Sequence, residues 1–289
     1  MKKSILLIII LIGVNKFLLA QTTSANVSTV IEAEKNFGKL VEAKGIKGGF
    51  LDVADADGII FKPEMIKITD FYSKIEKQAG SLKWEPEFAR ISFSGDLAFT
   101  TGPYIYQNGA EDSDKVFGNY VSIWRADGEN KLKLLIDLGI QHPEPEEPEK
   151  PDFKNPDTTG MGSQSKDPFG GKKIILTTDN LFNHSLTLSA MASYNEFLSP
   201  EGRFYFPGFF PITGRQNVMK FMNNEGITIS AETSSGGRAS SNDLAYTYGK
   251  ARIKKGEVVS NYYYVRIWEI DKDHKWNISL EVFSAIEND

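Results

Sequence analysis

No cysteine occurs among the 289 residues. That excludes disulfides, thiolate metal sites and a cysteine nucleophile together, and leaves no lipid-bearing cysteine behind an export signal. Histidine is almost as scarce, with His142, His184 and His274 alone. His142 falls in an expected linker and His274 in an expected turn, so no histidine-built zinc site, other metal or cofactor is expected. His184 lies near the first helices of the second half, where a solvated or capping role is expected. Basic residues are outnumbered, 33 Lys and Arg against 38 Asp and Glu, for a net charge of −5. A nucleic-acid partner is therefore not expected, because binding by counterion release needs a basic surface. The HExxH, P-loop, GxSxG and Rossmann glycine signatures are all missing.

What is present begins at the N-terminus. Lys2 and Lys3 precede the apolar run Ile5 to Val14, then Phe17-Leu18-Leu19 and Ala20. A basic start, an apolar centre and a small residue before polar sequence read as a secretory signal over 1–20. The run is short for a bilayer span. A periplasmic or secreted mature protein is expected, with no stable membrane anchor after cleavage. Far along the chain, residues 141–173 hold six of the twelve prolines, interleaved with Glu144, Glu146, Glu147 and Glu149. Proline removes backbone donors and little there is apolar, so this stretch reads as a semi-extended, solvated linker.

The flanks of that linker repeat each other. Ser94-Gly95-Asp96-Leu97-Ala98-Phe99-Thr100-Thr101-Gly102 matches Ser241-Asn242-Asp243-Leu244-Ala245-Tyr246-Thr247-Tyr248-Gly249, and Tyr120-Val121-Ser122-Ile123-Trp124 matches Tyr264-Val265-Arg266-Ile267-Trp268. Asp127 and Lys131 then fall opposite Asp271 and Lys275, and Gly58 and Pro63 opposite Gly202 and Pro207. Two copies of one domain are expected, at 24–140 and 174–287. Within the first copy, Val27, Val30, Ile31, Phe37, Leu40 and Val41 have helical spacing over 27–43. Gly45 is an expected stop, and a weaker helix follows to about Asp57. A short strand covers Ile59-Ile60-Phe61, a third helix 64–78, and strands 84–93, 97–106, 117–125 and 131–138. Helices first and antiparallel strands afterwards give an α+β domain, its curved antiparallel sheet wrapped on about three N-terminal helices.

That order, with the phrases "SGDLAFTTGPY", "YVSIWRADGENKLKLLIDLG" and the upstream "WEPEFARISF", resembles the SnoaL-like branch of the nuclear transport factor 2-like superfamily. More narrowly, it resembles exported bacterial domains of unknown function. The resemblance covers 27–140 closely. It covers 175–286 more loosely, because the first helix there reads as short and polar. It implies two cone-shaped barrels, each with a pocket between sheet and helices. Relatives include polyketide cyclases, a steroid isomerase, dehydratases and non-catalytic binding domains, so the fold alone fixes no chemistry. Pairing through the outer sheet face is common among them. It implies here either intrachain pairing of the two copies or a homodimer.

Asp96 and Asp243 each open a strand after a turn, where Asp bonds local backbone amides, so a structural role is expected. Asp137 and Glu281 hold equivalent places on the last strand of each copy and are the candidate catalytic carboxyls. On period two, Leu132, Leu134, Ile136 and Leu138 share one face and Asp137 takes the other, with Lys133 and Leu135. A tight hairpin at 127–130 places Asp137 opposite Tyr120, and Glu281 opposite Tyr264. A carboxyl beside a phenol can move a proton and stabilise an oxyanion, or it can be a structural pair. Trp84, Tyr104, Tyr120, Trp124, Tyr248, Tyr264 and Trp268 are candidate pocket aromatics, and Arg266 a candidate ligand-carboxylate partner. The aromatic segment 204–211 marks a pocket mouth or a contact between copies. The leading expectation is a small-molecule-binding protein for an apolar or aromatic ligand. The alternatives are an isomerase, cyclase or dehydratase using a pocket carboxylate and tyrosine, and a structural association module.

Overall fold

A computed structural model describes residues 25–62, 64–145, 150–157 and 168–286. The export-signal expectation at 1–20, Pro63 and part of the acidic linker lie outside these residues. No helix among the described residues is long and apolar enough to cross a membrane.

The N-terminal half opens with α1 (Ser28–Val53), whose Val30, Phe37, Val41, Ile46 and Phe50 are buried. Gly45 does not end this helix but kinks it. At φ 76° it takes a conformation that only glycine adopts cheaply. Next come β1 (Ala54–Phe61), β2 (Met65–Lys67) and α2 (Ile68–Ser73), then β3 (Ser81–Trp84), β4 (Phe88–Ile91), β5 (Leu97–Gln107), β6 (Lys115–Ala126) and β7 (Leu132–Gln141). The third helix expected over 64–78 thus shrinks to α2. Ile68 and Tyr72 are its only buried side chains, too little apolar surface to hold a longer helix down. The expected strand 84–93 is two strands, β3 and β4, both laid on β5.

Downstream of the linker come α3 (Pro168–Leu188), α4 (Ala190–Phe197), β9 (Leu198–Tyr205), β10 (Ile212–Thr213), α5 (Arg215–Glu225), β11 (Ile227–Arg238), β12 (Leu244–Lys255), β13 (Val258–Ile270) and β14 (Trp276–Ala285). The first helix of this half is not short. It runs 21 residues and begins inside the stretch read as linker. The linker itself is not wholly solvated. β8 (Asp152–Lys154) pairs in parallel with β4, and Asn155 Oδ1 accepts from Val27 N at 2.8 Å at the start of α1.

The first sheet runs β2-β1-β7-β6-β5-β4-β8 and the second β10-β9-β14-β13-β12-β11, the same order up to β4 and β11. The long strands form the expected antiparallel run. The short strand after the first helices joins in parallel, β1 on β7 and β9 on β14, so both sheets are mixed. Asp127 Oδ1 accepts from the backbone of Glu129 and Lys131 to close the last hairpin. Asp271 does the same for Asp273 and Lys275. The helices of each half cover one face of its sheet, which gives two cones.

The other faces pack on each other. Val121, Ile123, Ile136 and Leu138 share one core with Val265, Ile267, Leu280 and Val282. Each such side chain contributes roughly 1.5–3 kcal/mol by leaving water. Around the rim, the repeated turns clasp reciprocally. Asp243 Oδ2 accepts from Phe93 N at 2.7 Å and Asp96 Oδ2 from Ser240 N at 2.9 Å, while the Ser94 and Ser241 hydroxyls meet at 2.8 Å. Asp96 and Asp243 are structural, but the amides they hold belong to the opposite half.

Candidate functional site

β6 and β7 decide which side chains enter the first cone. Ser122 lies directly opposite Asp137, and Tyr120 opposite Gly139, with a register shift between Ile123 and Trp124. The expected pairing of Asp137 with Tyr120 is therefore off by two residues, because the hairpin is longer than assumed and Leu135 sits in a β-bulge. A bulge also flips the alternation. Leu134 packs against the helices while Ile136 and Leu138 face the other half. The second sheet carries the same irregularity between Ile267 and Trp268, which sets Glu281 opposite Arg266 rather than Tyr264.

Both candidate carboxyls face the cone interiors, and each meets a second acid that the sequence reading missed. In the first cone this is Glu34 of α1, fully buried. Its Oε1 accepts from Trp84 Nε1 at 2.6 Å, and its Oε2 from Thr100 Oγ1 at 2.5 Å and Trp124 Nε1 at 2.9 Å. Every donor is neutral. Burial pushes the Glu34 carboxyl up, and these hydrogen bonds only partly oppose that. Ser122 stands between the acids, near Glu34 and donating to Asp137 Oδ2 at 3.0 Å. Asp137 is half-buried. Burial first, and the Glu34 charge second, push it up to about 7.

Three phenols surround Asp137. The Tyr72 hydroxyl is buried with no hydrogen-bond partner. Burial and then the Asp137 charge push it well up. Tyr104 is pushed up to about 12 by the same two causes, and its ring lies over Gly118, where a Cβ would collide with it, and close to Gly139. The Tyr120 hydroxyl is likewise buried without a hydrogen bond of standard geometry. Thr100, beside it, gives its own proton to Glu34. Trp84 and Phe37 pack edge to face nearby, ring centroids 4.8 Å apart.

The second cone holds the same positions in a different state. Asp179 of α3 replaces Glu34, Glu281 replaces Asp137, and Arg266 replaces Ser122. Arg266 Nε donates to Glu281 Oε1 and its Nη1 to Asp179 Oδ1, both at 2.7 Å, with all three groups 0% exposed. Nη1 also reaches Asn183 Oδ1 at 2.7 Å. Burial opposes the guanidinium charge, but the two carboxylates outweigh it and Arg266 holds its proton more firmly than usual. Tyr194 donates to Glu281 at 2.7 Å, and Tyr264, Thr233 and Thr247 donate to Asp179. Aromatic side chains fill the rest, Phe204 lying against Phe206, Phe221 and Phe283.

The expected site residues therefore separate. Asp137, Trp84, Tyr104 and Tyr120 come together in the first cone. Trp124 is buried, its indole N–H donating to Glu34. Glu281, Tyr264, Arg266 and Trp268 are fully buried and hydrogen-bonded within the second cone, and Arg266 keeps one buried Nη2 without a hydrogen-bond partner. Tyr248 is on the wrong face. Thr247 points into the cone, so Tyr248 packs in the core between the halves. His184 is exposed on α3. Glu34 and Asp179 had a readable signal. They recur in step with Val30 and Ile175, Phe37 and Phe182, and Val41 and Leu186 on the two first helices. Two surface hollows, about 540 Å³ beside Asp55 and Arg125 and about 210 Å³ beside Arg90 and Glu269, touch neither acid pair.

The raised Asp137 carboxyl has a measurable consequence. Its folded value of about 7 exceeds the unfolded one, so the fold binds more protons than the unfolded chain between about pH 4 and 7. Stability from this group is full in acid and lost as pH rises through 7, with Glu34 acting in the same direction. The full shift corresponds to about 4 kcal/mol, and water at a half-buried carboxyl reduces it to about 2 kcal/mol. Asp137→Asn is expected to flatten the stability–pH curve and to exceed the parent by about that amount at pH 8. Denaturant titrations at pH 5 and pH 8 check this, and a parent no less stable at pH 8 than at pH 5 would sink it.

No protein-family model and no curated protein matches the chain. Among solved structures, it is similar to a ketosteroid isomerase-like protein from Erwinia carotovora atroseptica at 12% identity and TM-score 0.35, over 40% of this chain and 96% of that one. It is similar to a nuclear transport factor 2-like protein from Cytophaga hutchinsonii at 16% identity and TM-score 0.34, over 39% and 97%. An epoxide hydrolase of the LEH-like type from M. tuberculosis is similar at 13% identity and TM-score 0.32, over 39% and 79%. Likenesses at this level leave the chemistry to the side chains.

Proposed function

We propose that the N-terminal half binds a small, mostly apolar molecule whose polar group meets Asp137, and that the C-terminal half is its structural partner. One contrast carries this reading. At matching positions, the second cone spends its acids on Arg266, whereas Asp137 has Ser122 as its hydrogen-bond donor and lies near the unpartnered Tyr72 hydroxyl and the Tyr120 hydroxyl, which makes no hydrogen bond of standard geometry. Unpartnered buried hydroxyls are costly, and a ligand that pairs them recovers that cost. Trp84, Tyr104 and Tyr120 supply flat walls. The SnoaL-like assignment and the export of the chain belong to the same proposal. They are supported by the repeated strand phrases and by the basic, then apolar, N-terminus.

Native mass spectrometry of the full chain tests it, with and without a mixture of aromatic fragments. A bound mass is expected that disappears in Tyr104→Ala and persists in Tyr248→Phe, whose ring faces the other half. An adduct indifferent to Tyr104, or none at all, counts against the reading. A second reading, proton transfer in an isomerase, cyclase or dehydratase, draws on a carboxyl near 7 beside phenols. Under it, Asp137→Asn keeps ligand binding and abolishes turnover.

A further inference from the structure

The two cones act as each other's control. In the C-terminal half, the space between the helix acid and the strand acid holds a guanidinium. Its carbon lies 4.0 Å from the centre of the Tyr264 ring and 4.5 Å from that of Phe182. Carboxylates lie in its plane and aromatic faces lie beside it, an arrangement that favours a cation twice over. The N-terminal half keeps the carboxyls as Glu34 and Asp137 and the rings as Phe37 and Tyr120. It has Ser122 where the cation should be, and a serine side chain stops several bonds short of that position.

Trp84 covers part of the difference, since its indole N–H replaces Thr233 as a donor to the helix acid. The strand acid has the Ser122 hydroxyl as its donor, and no buried cation. Lys62 is the cation that acts on Asp137, and it is an exposed residue. The interior thus carries two carboxyls where its sister carries two carboxylates and an arginine. The Tyr72 hydroxyl is buried there without a partner and the Tyr120 hydroxyl without a hydrogen bond of standard geometry, and they add acceptor oxygens around the same spot. A ligand anion would meet two acids and no interior cation.

We propose that the N-terminal half takes a small organic cation, an amine or guanidine on a compact apolar body, between Asp137 and the face of Tyr120. The charged group occupies the place that the Arg266 guanidinium holds in the C-terminal half. This rests on the binding reading above and adds the charge of the ligand to it. The groups facing Asp137 are Glu34 from α1, Lys62 after β1, Tyr72 from α2, Tyr104 from β5, and Tyr120 and Ser122 from β6. Burial raises both carboxyls, Glu34 above its ordinary value and Asp137 to about 7. Cation binding therefore strengthens as pH rises through about 7, while an alkylamine keeps its proton to about pH 9.

Isothermal titration of the full chain at pH 8 compares phenethylamine with its neutral and anionic counterparts, 2-phenylethanol and phenylacetate. The amine is expected to bind at least tenfold more tightly than the alcohol, and phenylacetate least. Asp137→Asn is expected to erase the preference for the amine. Ser122→Arg, which supplies its own guanidinium, is expected to abolish amine binding. Should that variant not fold, the near-isosteric Asp137→Asn decides alone. Equal binding of amine and alcohol overturns the cation and leaves the small-molecule reading standing, as does tighter binding of phenylacetate. If none of the three binds, the cation is again overturned, and the broader reading is decided by the native mass spectrum.

Discussion

Arg266→Leu is expected to destabilise the C-terminal half by about 3–5 kcal/mol, the usual cost of removing one partner from a buried ion pair. The leucine is apolar and helps fill the space, so the loss is electrostatic rather than a cavity effect. Asp179 and Glu281 are both fully buried and both rely on this one guanidinium. Without it, two carboxyls face each other with hydroxyl donors alone, Thr233, Thr247 and Tyr264 on one and Tyr194 on the other. Adding Asp179→Asn and Glu281→Gln to Arg266→Leu is expected to restore most of the lost stability, because no uncompensated charge remains. Thermal and urea unfolding of the single and triple variants measures both effects. A single variant within 1 kcal/mol of the parent would contradict the buried charge network of Asp179, Arg266 and Glu281. The matched change in the other half, Ser122→Ala, removes one hydrogen bond to a half-buried acid and is expected to cost only about 1 kcal/mol.

The contrast between Ser122 and Arg266 shows what the sequence could and could not convey. The repeat is legible because its strand phrases keep order and spacing, and strands 97–106, 117–125 and 131–138 fall within two or three residues of β5, β6 and β7. The serine-for-arginine difference is legible as well. Its meaning is not, because it depends on which residues share a face across β6 and β7, and a bulge at Leu135 moves that pairing by one residue and changes the face. Bulges leave no clear mark in a run such as Leu132-Lys133-Leu134-Leu135-Ile136. α3 was hard to read for another reason. Its buried side chains Ile175, Phe182 and Leu186 are widely spaced, and Thr177-Thr178-Asp179-Asn180 between them has the composition of a loop. The acid in that polar stretch is the one that fixes Arg266. Its burial shows in sequence only through its step with Ile175, Phe182 and Leu186, the match of Glu34 with Val30, Phe37 and Val41.

Val265→Lys is expected to cost about 3–5 kcal/mol and to separate the halves. Val265 is 0% exposed at the centre of the core between the sheets, with Val121 at the equivalent place in the other half. Phe61 and Tyr263 pack nearby with ring centroids 5.1 Å apart. A lysine there meets Ile, Leu and Val side chains on both sheets, and an unpaired buried charge is among the most expensive single changes a core can receive. Each cone has its own core between helices and sheet, one built around Phe37 and Trp124 and the other around Phe182 and Trp268. The variant is therefore expected to keep both folded while loosening the joint between them. Calorimetry should show two transitions where the parent shows one. Light scattering should show self-association, because two apolar sheet faces become available. Thr228→Lys, exposed on β11, is the control and is expected to stay within 0.5 kcal/mol of the parent. If Val265→Lys left a single transition at unchanged temperature, the two sheets would not be packed face to face. The reciprocal clasp of Ser94, Asp96, Ser241 and Asp243 would then have to hold the halves together with the few other hydrogen bonds between them, such as Tyr263 to Glu64 and Gly208 N to Gln141 O, each worth about 1 kcal/mol.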